Sequence, residues 1–256
     1  MSKRKRFIIT SVILSLGFIG VRILPDSYRF LSIGALGIIT AVLFVWSLRE
    51  GLGLNLTLLS LILPTFFTLG VGLFWFLLPS SVFARIPIII LYGLGIYTLC
   101  LTTNIYTVAA VRTIALLRAA RGVGFVLTLL TLFLTFDTIL SFRWPIYITS
   151  PFVLLSAFFL YYQGFWAVSL KKEFTVKELS VSLVSSIVMA EVALALFFWP
   201  VTVVVGSLFL TVTAYILLGL GQAYLEERLF SQTIREYLLV GLAVFIGMLL
   251  ATNWGR

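Results

Sequence analysis

Long apolar runs, separated by short segments that carry most of the charged residues, form the main pattern along this chain. A helix needs about 20 mostly apolar residues, within a range of roughly 17 to 25, to cross the hydrocarbon core of a bilayer. Trp199-Pro200 divides the seventh run from the eighth, because proline cannot continue a helical hydrogen-bond ladder. We therefore predict an all-α polytopic transmembrane helical bundle that forms a single integral-membrane domain over residues 1–256, with nine spans and eight as the alternative count. The predicted spans cover residues 7–24, 30–48, 56–78, 86–104, 122–141, 147–170, 182–199, 201–222 and 237–252.

Composition agrees with this fold class. The chain is 61% hydrophobic and 11% charged, with a mean hydropathy of +1.17, whereas soluble domains contain about 25% charged residues. Lys and Arg outnumber Asp and Glu by 18 to 9. In a soluble protein that excess would indicate nucleic-acid binding, but here the basic residues lie between apolar runs and no polar, aromatic-interleaved surface is available to present to bases. We therefore expect the partner to be the lipid bilayer and exclude nucleic acid.

The positions of the basic residues predict the orientation of the chain. With nine spans and the N-terminus inside, 13 of the 18 Lys and Arg residues fall in inner segments and 5 at outer ends. Such an asymmetry is typical of membrane proteins, whose cytoplasmic loops are enriched in Lys and Arg. The sequence thus predicts an inner N-terminus and an outer C-terminus in a plasma (inner) membrane.

One segment between spans, residues 105–121, is too basic to cross the membrane and too apolar to be a free loop. Arg112, Arg118 and Arg121 share one half of its helical wheel, and the other half holds mostly apolar residues. An amphipathic helix of this kind lies in the interface, where its arginines contact anionic lipid head groups. The alternative is that this segment is a connecting helix, whose arginines only contribute to the excess of positive charge on the inner side of the membrane.

The stretch NIYTVAAVRTIALLRAARGVGFVLTLL, residues 104–130, resembles a family of uncharacterised multi-pass bacterial membrane proteins that is grouped as a domain of unknown function. The resemblance covers about 25 residues and implies a bacterial plasma membrane. It implies no activity.

Glu191 is the most unusual residue, because it lies within the otherwise uncharged run SLVSSIVMAEVALALFFWP. A charged side chain at the centre of a membrane helix costs about 2.5–3.5 kcal/mol on insertion scales, so it is expected to face other helices or water, or to carry a proton. Ser182, Ser186 and Ala190 form a stripe of small residues on the opposite side of the same helix, and such stripes let helices pack closely. We therefore expect this helix to be buried on two sides. Glu191 then either binds a proton or cation, or forms a structural hydrogen bond.

Other polar residues are further candidates for a site. Asp137 lies near the outer end of its span, and Arg22, Arg85 and Arg143 lie at outer positions. These residues predict either a structural Asp137–Arg22 pair or an outer polar cluster that holds an anionic head group, since guanidinium groups suit phosphate. Gln163 is a candidate polar contact for a substrate near the depth of Glu191.

Three classes of function remain. A non-enzymatic membrane component, meaning a scaffold or a subunit that contacts another membrane protein, requires nothing beyond these features. A small carrier or flippase would use Glu191, and a lipid-modifying membrane enzyme is the third class. We favour no enzyme and expect no cofactor and no metal, because the chain has no histidine and only one cysteine, Cys100, and these are the usual zinc ligands.

Overall fold

The structure, a computed structural model, describes residues 2–23, 28–48, 54–78, 82–110, 115–170 and 175–252. These residues form nine helices and no strand, which confirms the all-α prediction. The helices are α1 (Lys3–Ile23), α2 (Arg29–Ser47), α3 (Leu54–Trp75), α4 (Val82–Ala109), α5 (Leu117–Ser141), α6 (Ile146–Ser169), α7 (Val176–Phe197), α8 (Val203–Leu225) and α9 (Ser231–Ala251).

Eight of these helices, α2 to α9, are long and apolar enough to cross a membrane by length and composition. The first helix begins with four successive basic residues, Lys3 to Arg6. Helices suit this environment because a lipid-exposed backbone must satisfy its hydrogen bonds within the segment. The chain is thus a multi-pass membrane protein by composition. The ninth crossing and the orientation of the termini stay predictions.

The helix boundaries differ from the sequence pattern in two places. The described residues of the predicted interfacial helix, 105–121, belong to the last turns of α4 and the first turns of α5, and residues 111–114 lie outside the described set. The seventh helix begins at Val176, six residues before the predicted start of its span. In both places a helix continues through residues that are too polar to be counted in a hydropathy window.

The helices form two compact units, residues 1–131 and 132–256. In the first unit, α1 packs against α2 and α4, and α3 packs against α2 and α4. Buried hydroxyl groups connect these helices: Thr10 and Ser47 lie 2.6 Å apart, and Ser11 donates to the carbonyl of Gly93 at 2.6 Å. Hydroxyl bonds of this kind are a common means of joining membrane helices. The single integral-membrane domain stays a prediction.

The second unit is built around α6. This helix packs most extensively against α7 and also contacts α8, while α7 packs on α8 and α8 on α9. Every residue from 160 to 167 of α6 is buried, so this part of the helix is covered on all sides. Along α9, by contrast, Met248 is the one buried residue. The second unit therefore has a covered central helix and a peripheral last helix.

Candidate functional site

A cleft of about 580 Å³ opens in the second unit, at the end where α5 and α7 finish and α6 and α8 begin. We call this the Trp199 end, and the opposite end of the same unit the Glu178 end. Arg143, Trp144, Trp199 and Thr202 supply polar and amphipathic groups to the cleft, while Leu140, Ala193, Leu196, Phe197, Val201, Val203 and Gly206 are among its apolar lining. The cleft thus combines one cation and two indole rings with an apolar surface.

A tight turn after α5 positions Arg143 and Trp144. The backbone N–H of Arg143 donates to the carbonyl of Leu140 at 3.2 Å, and Arg143 has a φ of 50°, in the left-handed region that residues other than glycine rarely adopt. The Trp144 ring stacks on Phe142 with centroids 4.6 Å apart. Thr149 donates to the carbonyl of Trp144 at 3.0 Å, which ties the turn to the start of α6. Strained residues often occur at ligand sites, and here the turn leaves the Arg143 side chain exposed beside an anchored indole.

The other rim of the cleft is formed between α7 and α8. The indole N–H of Trp199 donates to Thr252 at 3.0 Å, which connects this rim to the end of α9. Thr202 caps α8 by accepting a bond from the N–H of Val205 at 3.4 Å. Pro200 lies between these residues, and the predicted break at Trp199-Pro200 is confirmed because α7 ends at Phe197.

Asp137 lies in α5, one turn before the cleft residue Leu140. Its carboxyl is buried, with 6% of the residue exposed, and accepts a bond from the Ser207 hydroxyl at 3.0 Å. Asp137 is not one of the residues that line the cleft. The described contact of this acid is therefore a hydrogen bond between α5 and α8, and Ser207 is a partner that the sequence pattern did not indicate.

The predicted cluster of arginines around Asp137 is described only in part. The side chain of Arg22 lies outside the described residues, so the predicted Asp137–Arg22 pair stays a prediction. Arg85 belongs to the first unit, where its guanidinium carbon lies 5.2 Å from the centre of the Trp75 ring. Among the described side chains of these arginines, that of Arg143 belongs to the lining of the cleft.

Glu191 is exposed, on the face of α7 that also presents Leu183, Ile187 and Leu194. Whether it meets another helix, water or a cavity stays a prediction. Helix α7 ends at Phe197. Glu191 lies six residues before Phe197, which is about 9 Å from the end of the helix at 1.5 Å per residue. Its depth in the bilayer stays a prediction.

The small-residue stripe on α7 is buried, as expected of a packing surface. Ser182, Ser186 and Ala190 all belong to the buried side of the helix. Ser150 of α6 donates to the carbonyl of Ala190 at 3.2 Å, which places α6 against this stripe. Gln163 of α6 is 4% exposed, and no hydrogen-bond partner of its side-chain oxygen is present in the described structure.

A buried acid that the sequence pattern did not single out lies at the other end of the stripe. Glu178 is 3% exposed, and its Oε1 accepts a bond from the hydroxyl of Ser169, the last residue of α6, at 2.5 Å. Its spacing carried a signal, because Glu178 precedes Ser182 by four residues and so lies on the same face as the stripe. The run of charged residues before it favoured a solvated loop instead.

Of the three predicted lipid-contacting arginines, Arg118 is exposed and Arg121 is half-buried at the start of α5, while Arg112 lies outside the described residues. The described residues also contain no group of three or more His, Cys, Asp or Glu side chains placed to hold a metal ion. The exposure of Arg118 and Arg121 does not by itself assign a role to the first unit.

Comparison with known proteins gives a family without an assigned activity. The family model described as "Protein of unknown function (DUF5656)" matches residues 9–251. Neither a curated protein nor a solved structure matches the chain. The match covers nearly the whole sequence and agrees with the resemblance of residues 104–130 to an uncharacterised family of this kind. The chain therefore belongs to the DUF5656 family, whose function is not assigned.

Proposed function

We propose that this protein is a non-enzymatic membrane component that binds an anionic phospholipid in the cleft at its Trp199 end. The observation that carries the proposal is that Arg143, Trp144 and Trp199 line one cleft together with apolar residues. In the predicted orientation this end faces outward, so the lipid would belong to the outer leaflet.

The cleft matches the two parts of an amphiphile. A guanidinium group binds phosphate through two parallel hydrogen bonds, and tryptophan rings are enriched at the depth of the head groups. The apolar residues Leu140, Ala193 and Leu196 offer a surface for the first part of an acyl chain. The volume, about 580 Å³, lies within the range of about 300–1,000 Å³ that is typical of ligand pockets.

The other two classes of function have less support. The carrier was predicted to use Glu191, which is exposed on the surface of α7 rather than enclosed by helices. An enzyme would need Asp137, Arg22 and Arg143 to converge at an outer pocket, or Glu226 and Glu227 at an inner one. Asp137 is bonded to Ser207 and is not among the residues that line the cleft.

Lipid affinity measured by native mass spectrometry tests the proposal. The purified protein, delipidated in mild detergent, is titrated with phosphatidylglycerol and separately with phosphatidylcholine. Hydrogen bonds to charged groups contribute about 1.5–3 kcal/mol, so Arg143→Gln should weaken phosphatidylglycerol binding about 10- to 100-fold. Phosphatidylcholine, whose phosphate charge is balanced by choline, should bind more weakly to the unmodified protein.

Arg235→Gln is the matched control, because it removes the same charge from an exposed position of α9 that does not line the cleft. It should leave the phosphatidylglycerol affinity unchanged, and Arg143→Lys should retain part of it. Equal affinities of the Arg143→Gln and Arg235→Gln variants, or no preference for the anionic lipid, would contradict the proposal.

A further inference from the structure

Positive charge is concentrated at one end of the first unit, where α1, α3 and α5 begin and α2 and α4 finish. We call this the basic end. The parts of the sequence that belong to it, residues 1–6, 48–54 and 109–121, hold eight Lys and Arg residues and one acid, Glu50. Because this count also covers the residues outside the described set, the excess of positive charge does not depend on their conformation. The corresponding parts at the opposite end, residues 22–29 and 76–85, hold three arginines and one acid.

Two hydrogen bonds place the cations of α1 and α5 on either side of the end of α4. Ser11 donates to the carbonyl of Gly93 at 2.6 Å, which fixes the register of α1 against α4. Since these helices are antiparallel, Lys3 lies beside about residue 101 of α4 in that register. Tyr106 donates to the carbonyl of Ala120 at 3.0 Å, which holds the first turn of α5 against the same part of α4. The basic starts of α1 and α5 therefore lie within one to two helical turns of each other along α4.

These cations occupy positions that a helix by itself disfavours. The start of a helix carries a partial positive charge, so acids are stabilising there and bases are not. Neither α1 nor α5 has an acid in its first turn, and α1 begins with four successive bases. Arg4, Lys5 and Arg118 are exposed. An anion outside the protein would offset the repulsion at both helix starts.

Each exposed cation continues into an exposed apolar stripe on the same helix. On α1, Ile8 and Val12 follow Arg4 at intervals of four residues, and each is 51% exposed. Residues at this spacing share one face of a helix.

The same arrangement occurs on α5. Gly122, Val126 and Leu130 follow Arg118 at intervals of four residues, and all are exposed. A Cβ placed on Gly122 would meet no described atom within 4 Å apart from its chain neighbours and the backbone of its own helix, so the face is open directly below the arginine. Both helices thus combine a cation at the helix start with an apolar surface that extends towards the middle of the helix.

We infer that the basic end of the first unit binds the head groups of anionic phospholipids in the inner leaflet, whose acyl chains lie along the exposed stripes of α1 and α5. Basic residues next to a membrane helix attract anionic lipids, and guanidinium groups suit phosphate. An acidic protein would complement the cations alone, whereas a phospholipid complements the cations and the apolar stripes together. The inference does not depend on the proposed function, because the cleft belongs to the second unit.

Fluorescence quenching by brominated lipids tests the inference at a chosen position. A bimane label is attached to Val126→Cys in a Cys100→Ala background, and the full-length protein is reconstituted in vesicles of phosphatidylcholine and phosphatidylglycerol. Two sets of vesicles have the same composition and differ only in which of the two lipids is brominated. The ratio of quenching by the two lipids then measures the local preference for the anionic one. The control label is Leu58→Cys, an exposed position of α3, which begins at the same end and contains no Lys or Arg.

The label at position 126 should show a preference of about fivefold for phosphatidylglycerol, the effect of one basic residue beside an anionic surface. Arg118→Gln should reduce this preference to the value at position 58. A salt titration requires no substitution of Arg118, and 1 M NaCl should weaken the preference because it shortens the Debye length to about 3 Å. Equal ratios at positions 126 and 58, or a preference that neither Arg118→Gln nor salt changes, would overturn the inference and leave the cations to an acidic protein or to the orientation of the chain alone.

Discussion

Gly221→Ala tests whether the close contact between α8 and α6 organises the second unit. A Cβ atom on Gly221 would lie 2.5 Å from two ring atoms of Phe165 and 3.3 Å from a methyl of Val181, whereas carbon atoms in ordinary contact are about 3.5–4.0 Å apart. The overlap with the ring is thus about 1 Å. Phe165 is fully buried and stacks on Tyr161 with centroids 5.8 Å apart, so the ring is enclosed and has little room to move.

The expected effect is the difference between two contributions. Overpacking a well-packed core costs typically about 1–3 kcal/mol, and an enclosed ring belongs at the upper end of that range. Alanine gains about 0.8–1.0 kcal/mol over glycine in helix propensity. Gly221→Ala should therefore lower the free energy of unfolding by about 1–2 kcal/mol.

Gly247→Ala in α9 is the control, because a Cβ placed there meets no described atom within 4 Å apart from its chain neighbours and the backbone of its own helix. It gains the same helix propensity without an overlap and should be neutral or stabilising by up to about 1 kcal/mol. The assay is reversible unfolding in mixed micelles by titration with sodium dodecyl sulfate, followed by circular dichroism. If Gly221→Ala were as stable as Gly247→Ala, the argument that α8 needs a glycine at this contact would be refuted.

Two further predictions concern the acids in the second unit. Ser207→Ala removes the described donor to the buried Asp137 carboxyl and should lower the free energy of unfolding by about 1–3 kcal/mol. A double-mutant cycle with Asp137→Asn should give a coupling energy above the average of about 0.6 kcal/mol for hydrogen bonds between membrane helices. A coupling energy of zero would show that this hydrogen bond does not stabilise the protein. For Glu191, a spin label on Glu191→Cys in a Cys100→Ala background should be more accessible to oxygen than to a water-soluble nickel chelate, because the other exposed residues on this face of α7, Leu183, Ile187 and Leu194, are apolar and are expected to meet lipid. A label on Ala190→Cys, on the buried face, should be poorly accessible to oxygen and to the nickel chelate. If the nickel chelate reached the label at position 191 better than oxygen does, Glu191 would instead line a water-filled path.

The acids of α7 show how far the sequence predicts a candidate site. The stripe of Ser182, Ser186 and Ala190 correctly predicted which face of α7 packs against a neighbour. The same periodicity places Glu178 on that face and Glu191 away from it, but Glu191 was selected because it interrupts an apolar run. A hydropathy window detects a charge among apolar residues, and it does not detect whether a neighbouring helix covers that charge.

The cleft could be predicted only in outline. Arg143 was expected at an outer position, but the cleft also depends on Ala193 and Leu196 of α7 and Gly206 of α8, which are ordinary apolar residues. Their convergence depends on how α5, α6, α7 and α8 pack. Likewise, nothing in the sequence near Asp137 indicates Ser207, because the two residues are 70 positions apart.

The fold class, the membrane setting and the approximate position of each helix can be read from the chain without its packing. These properties are local, since each apolar run must satisfy its own backbone hydrogen bonds in lipid and ends at prolines or polar segments. Which acid is buried, which arginine lines a cleft and which hydroxyl bonds to Asp137 depend instead on how the helices pack. The lipid is about as apolar as the helix interfaces, so hydropathy does not distinguish a face that meets lipid from one that meets another helix. Burial within this protein depends on the fit between small residues of neighbouring helices, and that fit exists only once the helices have packed.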